Sequence, residues 1–449
     1  MRATGRHEPA VAIGGTAAAP AAGGEGVAEA GGGEAAGSAG GAIFALVSES
    51  RACALLLSAL VLLAAALLLW RGGTVAFPDE RDYLALARNL IESGTFGLEG
   101  TTATAYRLPA YPAFLAAILA LRDSVALVQA VQLALWLLTG LILRATARAR
   151  AGPLAGLLAL LLWGAYPQGL FLATTLYPQA LLAPLLASSL ALALGRASPG
   201  RAALAGLLGG SATLLVANAF PAVAVHLLVQ ALRLGGGRRT AALVLGGALL
   251  ALPAALWTAR NLAVLGAPVL TTNSGVNLLL GNAPGVTPET GPSLDLTPYE
   301  PLTRGLSELE ADRLFRAIAL DWIRAHPAEA GLLYLGKLGH WWAASDRLAT
   351  TGEAGSGRAL LAAVGWYGLL AAALAGTLLA ARAGRLDRGL LAASWAAWLA
   401  TALAYALFFT RVRFRIPFDA LLVPVAAIGL AAGPGGRLGR CRRGPGSAQ

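Results

Sequence analysis

The sequence predicts an all-α polytopic membrane protein, a bundle of about ten transmembrane helices with two large loops on one side. Of its 449 residues, 57% are hydrophobic and 13% charged, with a mean hydropathy of +0.66. A soluble chain of ordinary composition is about one quarter charged. Charge-free apolar runs such as ALLLSALVLLAAALLLW (54–70) recur along the chain. Each is long enough, or nearly so, to cross about 30 Å of hydrocarbon as a helix. Arginine-rich connectors separate them.

These runs place spans at 52–70, 124–143, 153–170, 172–194, 203–217, 219–234, 240–258, 359–381, 389–409 and 418–432. Alternate connectors then read RATARAR (144–150), GRASPGR (195–201), RLGGGRR (233–239), RAGRLDR (382–388) and RLGRCRRG (437–444). Together they hold fifteen arginines and one acid, Asp387. The positive-inside rule makes that side cytoplasmic. The opposite side carries the connectors 71–123 and 259–358, with most of the acids that follow the N-terminal segment. Residues 1–45, rich in Gly, Ala and Glu, read as a disordered cytoplasmic tail, and 434–449 as a basic cytoplasmic tail. The first apolar run starts too late for a signal peptide, and no clear cleavage site follows it.

The net charge of +11 does not indicate nucleic acid, because the arginines sit in short connectors between apolar runs. Cys53 and Cys441 lie at opposite ends of the chain and show neither disulfide nor zinc spacing.

In the first large loop, FPDERDYLALARNLIESGTFG (77–97) reads as a helix with Asp79 as N-cap and Gly94 as its stop. Capping alone accounts for Asp79; the alternative is that Asp79 and Glu80 face a cavity, where a carboxylate can take a proton from a hydroxyl. TAYRLPAYPAFLAAIL (104–119) follows, its prolines holding the chain extended and Tyr106, Arg107 and Tyr111 offering polar tips. FFTRVRFRIP (408–417) falls on the same side as the large loops and breaks the arginine pattern. Its arginines suit an anionic partner such as phosphate. The alternative is that they meet lipid headgroups or pair with acids in the large loops.

The order D-E-x-x-Y, short helix, Gly, R-x-P-x-Y-P-x-F-L (79–115) resembles the GT-C membrane glycosyltransferases. The similar branch is the bacterial one containing protein O-mannosyltransferases and the lipid A aminoarabinose transferase. LYPQALLAPLLA (176–187), ARNLAVLGAPVLTTNSGVNLLLGNAPG (259–285), LFRAIALDWIRAHPAEAGLLYLGKLGHWW (314–342) and R-x-R-x-P (413–417) resemble its later motifs, so the likeness covers roughly 50–430. It implies a GT-C-like domain over 46–433 in the bacterial inner membrane. Its activity would be transfer of a hexosyl or pentosyl unit, with inversion, from a polyprenyl-phosphate donor. The acceptor would be a glycan, lipid or protein at the extracytoplasmic face. The resemblance makes Asp79 the catalytic candidate with Glu80 as helper. It gives Arg107 and Tyr111 to substrate positioning, and Arg413 and Arg415, with Lys337, to the carrier phosphate.

One departure concerns metal. The second loop motif has Gln179 where many relatives carry an acid beside the proline, and an amide is a poor carboxylate substitute for a divalent cation. Metal-dependent members exist in the wider superfamily, but this position points to no cofactor and no metal ligand. The competing class is a transporter or lipid flippase, for which polar groups near mid-membrane and a repeat between halves are expected. The spans are nearly bare of charge and no repeat is evident.

SELE (307–310) reads as a capping box opening an amphipathic helix. His326 reads as a helix end, and His340 with Trp341 and Trp342 as an interfacial belt.

Overall fold

The computed structural model describes residues 32–344, 356–384 and 387–432, with side chains from 49 onward except at 356 and 358. Of the expected disordered tail 1–45, residues 1–31 lie outside the described residues, while 32–45 are corrected to the start of a helix; the segment 345–355, residues 385–386, residue 433 and the expected tail 434–449 also lie outside the described residues. The chain divides into two units, Met1–Arg51 and Ala52–Gln449. The described part of the first is the N-terminal portion of helix α1; the second holds every other element.

Among the described residues all regular structure is helical. The helices are α1 (Gly32–Arg71), α2 (Pro78–Ser93), α3 (Ala110–Leu119), α4 (Val125–Ala151), α5 (Pro153–Gly164), α6 (Pro167–Ala173) and α7 (Gln179–Leu194). They continue with α8 (Pro199–Leu215), α9 (Phe220–Leu232), α10 (Gly236–Leu265), α11 (Ser274–Gly281), α12 (Glu300–Thr303), α13 (Glu308–Ala325) and α14 (Pro327–His340). The last are α15 (Ser356–Arg382), α16 (Arg388–Leu391), α17 (Ala397–Ala406), α18 (Val412–Asp419) and α19 (Val423–Ala431), with a π-helical turn at Ala392–Ala396 joining α16 to α17.

A helix lies on each of the ten expected spans. Six helical stretches are long and apolar enough to cross a membrane alone: Glu49–Arg71, Val125–Ala151, Gly236–Leu265, Ala359–Arg382, Arg388–Ala406 and Val412–Ala431. The pair α5 and α6, bent by 62°, makes a seventh if counted as one span. The expected span 172–194 starts late, because residues 174–178 leave the helix before α7 begins. The expected span 418–432 starts early, because α18 carries the arginine segment into the bundle.

The layout of connectors has a physical counterpart. Arg150 pairs with Asp387, so the arginine-rich connectors around 144–150 and 382–388 meet. Arg233 Nη1 donates to the carbonyls of Ala193 (2.9 Å) and Gly195 (2.6 Å), tying two more arginine-bearing connectors together. At the opposite end, Glu308 of α13 accepts from Thr104 Oγ1 (2.7 Å) and Ala105 N (3.2 Å), joining the two large loops.

Leu, Ala and Trp dominate the core, including Trp163, Trp366 and Trp398, all at most 2% exposed. Without a hydrophobic force between helices in lipid, small residues that let backbones approach become the packing device. At the crossing of α15 and α19, a Cβ on Gly429 would collide with the backbone of Gly376. Gly429→Ala is expected to lower stability by about 1–3 kcal/mol through overpacking, read as a reduced midpoint in thermal unfolding of the purified protein.

Candidate functional site

Helix α2 begins one residue earlier than Asp79 suggests. Phe77 is its N-cap in extended conformation, Pro78 is the first helical residue, and Gly94 closes it at φ 69° in the left-handed region. The expectation of Asp79 as N-cap is therefore corrected. Glu80 does the capping: its Oε2 accepts from the amides of Ala76 (2.6 Å) and Phe77 (2.8 Å). Its Oε1 accepts from Leu176 N (2.8 Å) in the break before α7. Glu80 is 1% exposed, so the expectation that it faces a cavity beside Asp79 is corrected as well. It satisfies three backbone donors and fixes α2 against residue 176.

With capping assigned to Glu80, both oxygens of Asp79 are turned outward to cations. Oδ1 accepts from Arg107 Nη2 at 2.8 Å, and Oδ2 from Arg413 Nη2 at 2.6 Å. The same Arg107 Nη2 donates to Asp82 Oδ2 at 2.7 Å. Arg107 lies against the rings of Tyr83 (5.3 Å) and Tyr106 (5.2 Å), and Arg413 over Tyr177 (4.4 Å). The Nε atoms of Arg107 and Arg413 are buried without a hydrogen-bond partner. Burial of Asp79 favours its neutral form, but Arg413 and Arg107 outweigh that and hold its carboxyl below the ordinary value. Burial pushes the Tyr83 and Tyr177 hydroxyls up, so both are neutral near pH 7.

Tyr111, a positioning candidate from the sequence, is 1% exposed and turned into the bundle. Its hydroxyl donates to Gln132 Oε1 (2.7 Å), and Gln132 Nε2 donates to the carbonyls of Ala173 (3.2 Å) and Thr175 (2.7 Å). It meets the site only through its edge-on contact with Tyr83, ring centroids 5.0 Å apart.

FFTRVRFRIP is helical from Val412, not a strand, so its arginines point in different directions. Arg411 is the N-cap of α18. Arg415 is 0% exposed: its Nε pairs with Asp419 Oδ2 (3.0 Å) and its Nη1 donates to the carbonyls of Trp341 (2.7 Å) and Ala343 (2.6 Å). The Trp366 ring lies 3.6 Å from its guanidinium carbon, and Asp419 also accepts from Tyr166 (2.5 Å) and Trp398 (2.9 Å). This network is sealed in the core, which corrects the expectation that Arg415 shares a ligand with Arg413. Lys337 is also internal: Nζ donates to Gly281 O (3.0 Å), Asn282 Oδ1 (3.1 Å) and Phe408 O (2.8 Å). Three donors meet three neutral acceptors, and burial pushes its ammonium down to about 8.

Sequence reasoning missed Asp82 and Tyr177. Asp82 had a usable signal, since its i+3 spacing from Asp79 places both on one helix face. Tyr177 had none, because its approach to Arg413 depends on the break between α6 and α7.

Two crystal structures of ArnT from Cupriavidus metallidurans, in the apo state and bound to undecaprenyl phosphate, are similar to this chain. Identities are 18% and 17%, coverage is 85% and 84% of this chain and 78% of each of theirs, and TM-scores are 0.41 and 0.40. No protein-family model and no curated protein sequence matches the chain.

Two outcomes test this geometry. Asp419→Asn strips Arg415 of its buried counter-charge and is expected to cost about 3–5 kcal/mol, measured by thermal unfolding. The folded-state pKa of Asp79 lies below its unfolded value, so its pairing stabilises fully above the ordinary carboxylate range and is lost as pH falls through the folded value. Asp79→Asn is therefore expected to be less stable than wild type at neutral pH by about 1 kcal/mol, allowing for partial exposure. The gap should close in acid, as pH falls through that lowered folded value, in the same unfolding assay.

Proposed function

We propose that this chain is an integral-membrane glycosyltransferase that moves a sugar from a polyprenyl-phosphate carrier to an acceptor hydroxyl at the extracytoplasmic face, with inversion. The observation that carries this reading is one carboxylate, Asp79, set between guanidiniums from two other segments of the chain. Both arginines keep a buried Nε–H without a partner. The order of sequence motifs over residues 50–430 supports the same reading.

The chemistry asks for a base and an anion clamp side by side, and the cluster supplies both types of group. Asp79 takes the proton from the acceptor O–H as the acceptor oxygen bonds to the anomeric carbon. The bond from that carbon to the phosphate oxygen breaks, and its electron pair leaves on the phosphate. Arg413 and Arg107 stabilise the developing charge; guanidinium matches phosphate in bidentate geometry. Tyr177 and Tyr83 wall the site with neutral rings on which the arginines rest. Glu80 positions Asp79 through the backbone of α2. Arg415 and Lys337, buried against protein acceptors, hold the segments around 408–419 that deliver Arg413.

The test is transfer of labelled sugar from polyprenyl-phosphate donors in membranes holding the full chain, with the donor chosen by mass spectrometry of lipid that copurifies. Folded Asp79→Asn is expected to lower turnover by about 10²–10⁴-fold, the range for loss of a general base. Undiminished transfer would sink the assignment. Arg413→Ala is expected to weaken donor binding, and unchanged donor affinity would remove Arg413 from the phosphate site.

A further inference from the structure

We infer that the carrier's phosphate and the Asp79 carboxylate compete for the same two guanidiniums, so that donor binding itself releases the base. This rests on the proposed glycosyltransferase reading and adds to it the order of events at the site.

Both Asp79 oxygens accept charge-assisted hydrogen bonds, at 2.8 Å from Arg107 and 2.6 Å from Arg413. A carboxylate capped on both oxygens by cations is a weak proton acceptor, because the bonds that hold it favour its ionised form. The site as it stands therefore contains a base that is disabled by its own neighbours. Its charges also balance: Asp79 and Asp82 against Arg107 and Arg413 give −2 + 2 = 0. The other titratable groups facing Asp79 are Tyr83 on its own helix, Tyr106 beside Arg107 and Tyr177 beside Arg413, all neutral, while Glu80 is turned to backbone amides. A phosphate entering this cluster meets no surplus positive charge unless an arginine changes partner.

Each arginine is built to make that change without losing its place. Arg107 has a second tether in Asp82 at 2.7 Å, and Arg413 rests on the Tyr177 ring at 4.4 Å. Each also has a buried Nε–H that no protein group accepts. Phosphate presents more acceptor oxygens and more charge than a carboxylate, so it draws the guanidiniums toward itself. Asp79 is then uncapped only when the donor is in place. An empty site leaves it inert, and the timing protects the carrier from a base acting before the donor is aligned.

Linkage fixes the sign of the test. The factor by which phosphate raises the proton affinity of Asp79 equals the factor by which the Asp79 charge weakens phosphate binding. Arginine neighbours typically shift an aspartate by about 1–3 pKa units, so neutralising Asp79 should tighten phosphate binding by about tenfold or more.

The experiment is calorimetric titration of the purified full chain in nanodiscs with farnesyl phosphate. Asp79→Asn is expected to lower Kd about tenfold relative to wild type, and Arg413→Ala to raise it. Equal or weaker binding by Asp79→Asn, with wild type binding normally, overturns the competition while leaving the glycosyltransferase reading intact. A wild type that binds no farnesyl phosphate overturns that reading, and the competition with it. Wild type provides an independent measurement if Asp79→Asn does not fold. At about pH 8, where phosphate with a second pKa of about 6 is fully ionised, infrared difference spectra of protein carrying carbon-13-labelled aspartate should show one carboxylate band shifting on addition of farnesyl phosphate. An unchanged aspartate carboxylate region overturns the inference.

Discussion

The bracket of Asp79 between Arg107 and Arg413 is the contact on which the arrangement of this end of the molecule turns. It joins the first large loop to a helix 334 residues later in the chain. Each participant is delivered by a different device. Asp79 sits in the first turn of α2, where the helix dipole favours a negative charge. Arg107 is carried by the loop that Glu308 grips at Thr104 and Ala105, and Arg413 by the first turn of α18. A displacement of any one of the three supports separates the ions, and at hydrogen-bond range small displacements matter.

The supports are polar because the surroundings are not. A backbone group without a partner inside an apolar bundle costs several kcal/mol, so each break in a buried helix requires side chains that replace the lost ladder. The segment between α6 and α7 shows this most clearly. Gln129 takes the Thr174 carbonyl, Gln132 those of Ala173 and Thr175, and Glu80 the Leu176 amide. The break is what sets Tyr177 beneath Arg413. Here the satisfaction of backbone groups and the shape of the site are the same structural fact, and Glu80 serves both.

Hydropathy and arginine spacing made the fold class legible, because a span must be apolar along its whole length and connectors reveal themselves by charge. The ten segments were visible for that reason, while the bend between α5 and α6 and the late start of α7 were not. Those depend on Tyr166 and Gln132 finding partners far away in sequence. At the site, Asp79, Arg107 and Arg413 were legible as charges standing where the orientation rule does not require them. What the sequence could not separate was a charge turned to a neighbouring ion from a charge turned to the protein's own backbone. Glu80 follows Asp79 by one residue and Lys337 is the sole lysine, yet Glu80 is spent on main-chain N–H donors and Lys337 on main-chain and amide acceptors. Spacing carries no information about which carbonyls lie within reach.

The arginine segment shows how helix geometry divides one motif between two tasks. Residues two apart on an α-helix are separated by about 200°, at 3.6 residues per turn. Once α18 forms, Arg413 and Arg415 must therefore face nearly opposite ways. One side meets Asp79 at the edge of the bundle, where the Arg413 side chain keeps 25% of its surface; the other meets Asp419 in the core, where Arg415 keeps none. Each has a carboxylate of its own. As ion pairs, both are electrically compensated where they stand. That leaves the difference between them to solvent access alone, and only the accessible pair can exchange its partner for a ligand.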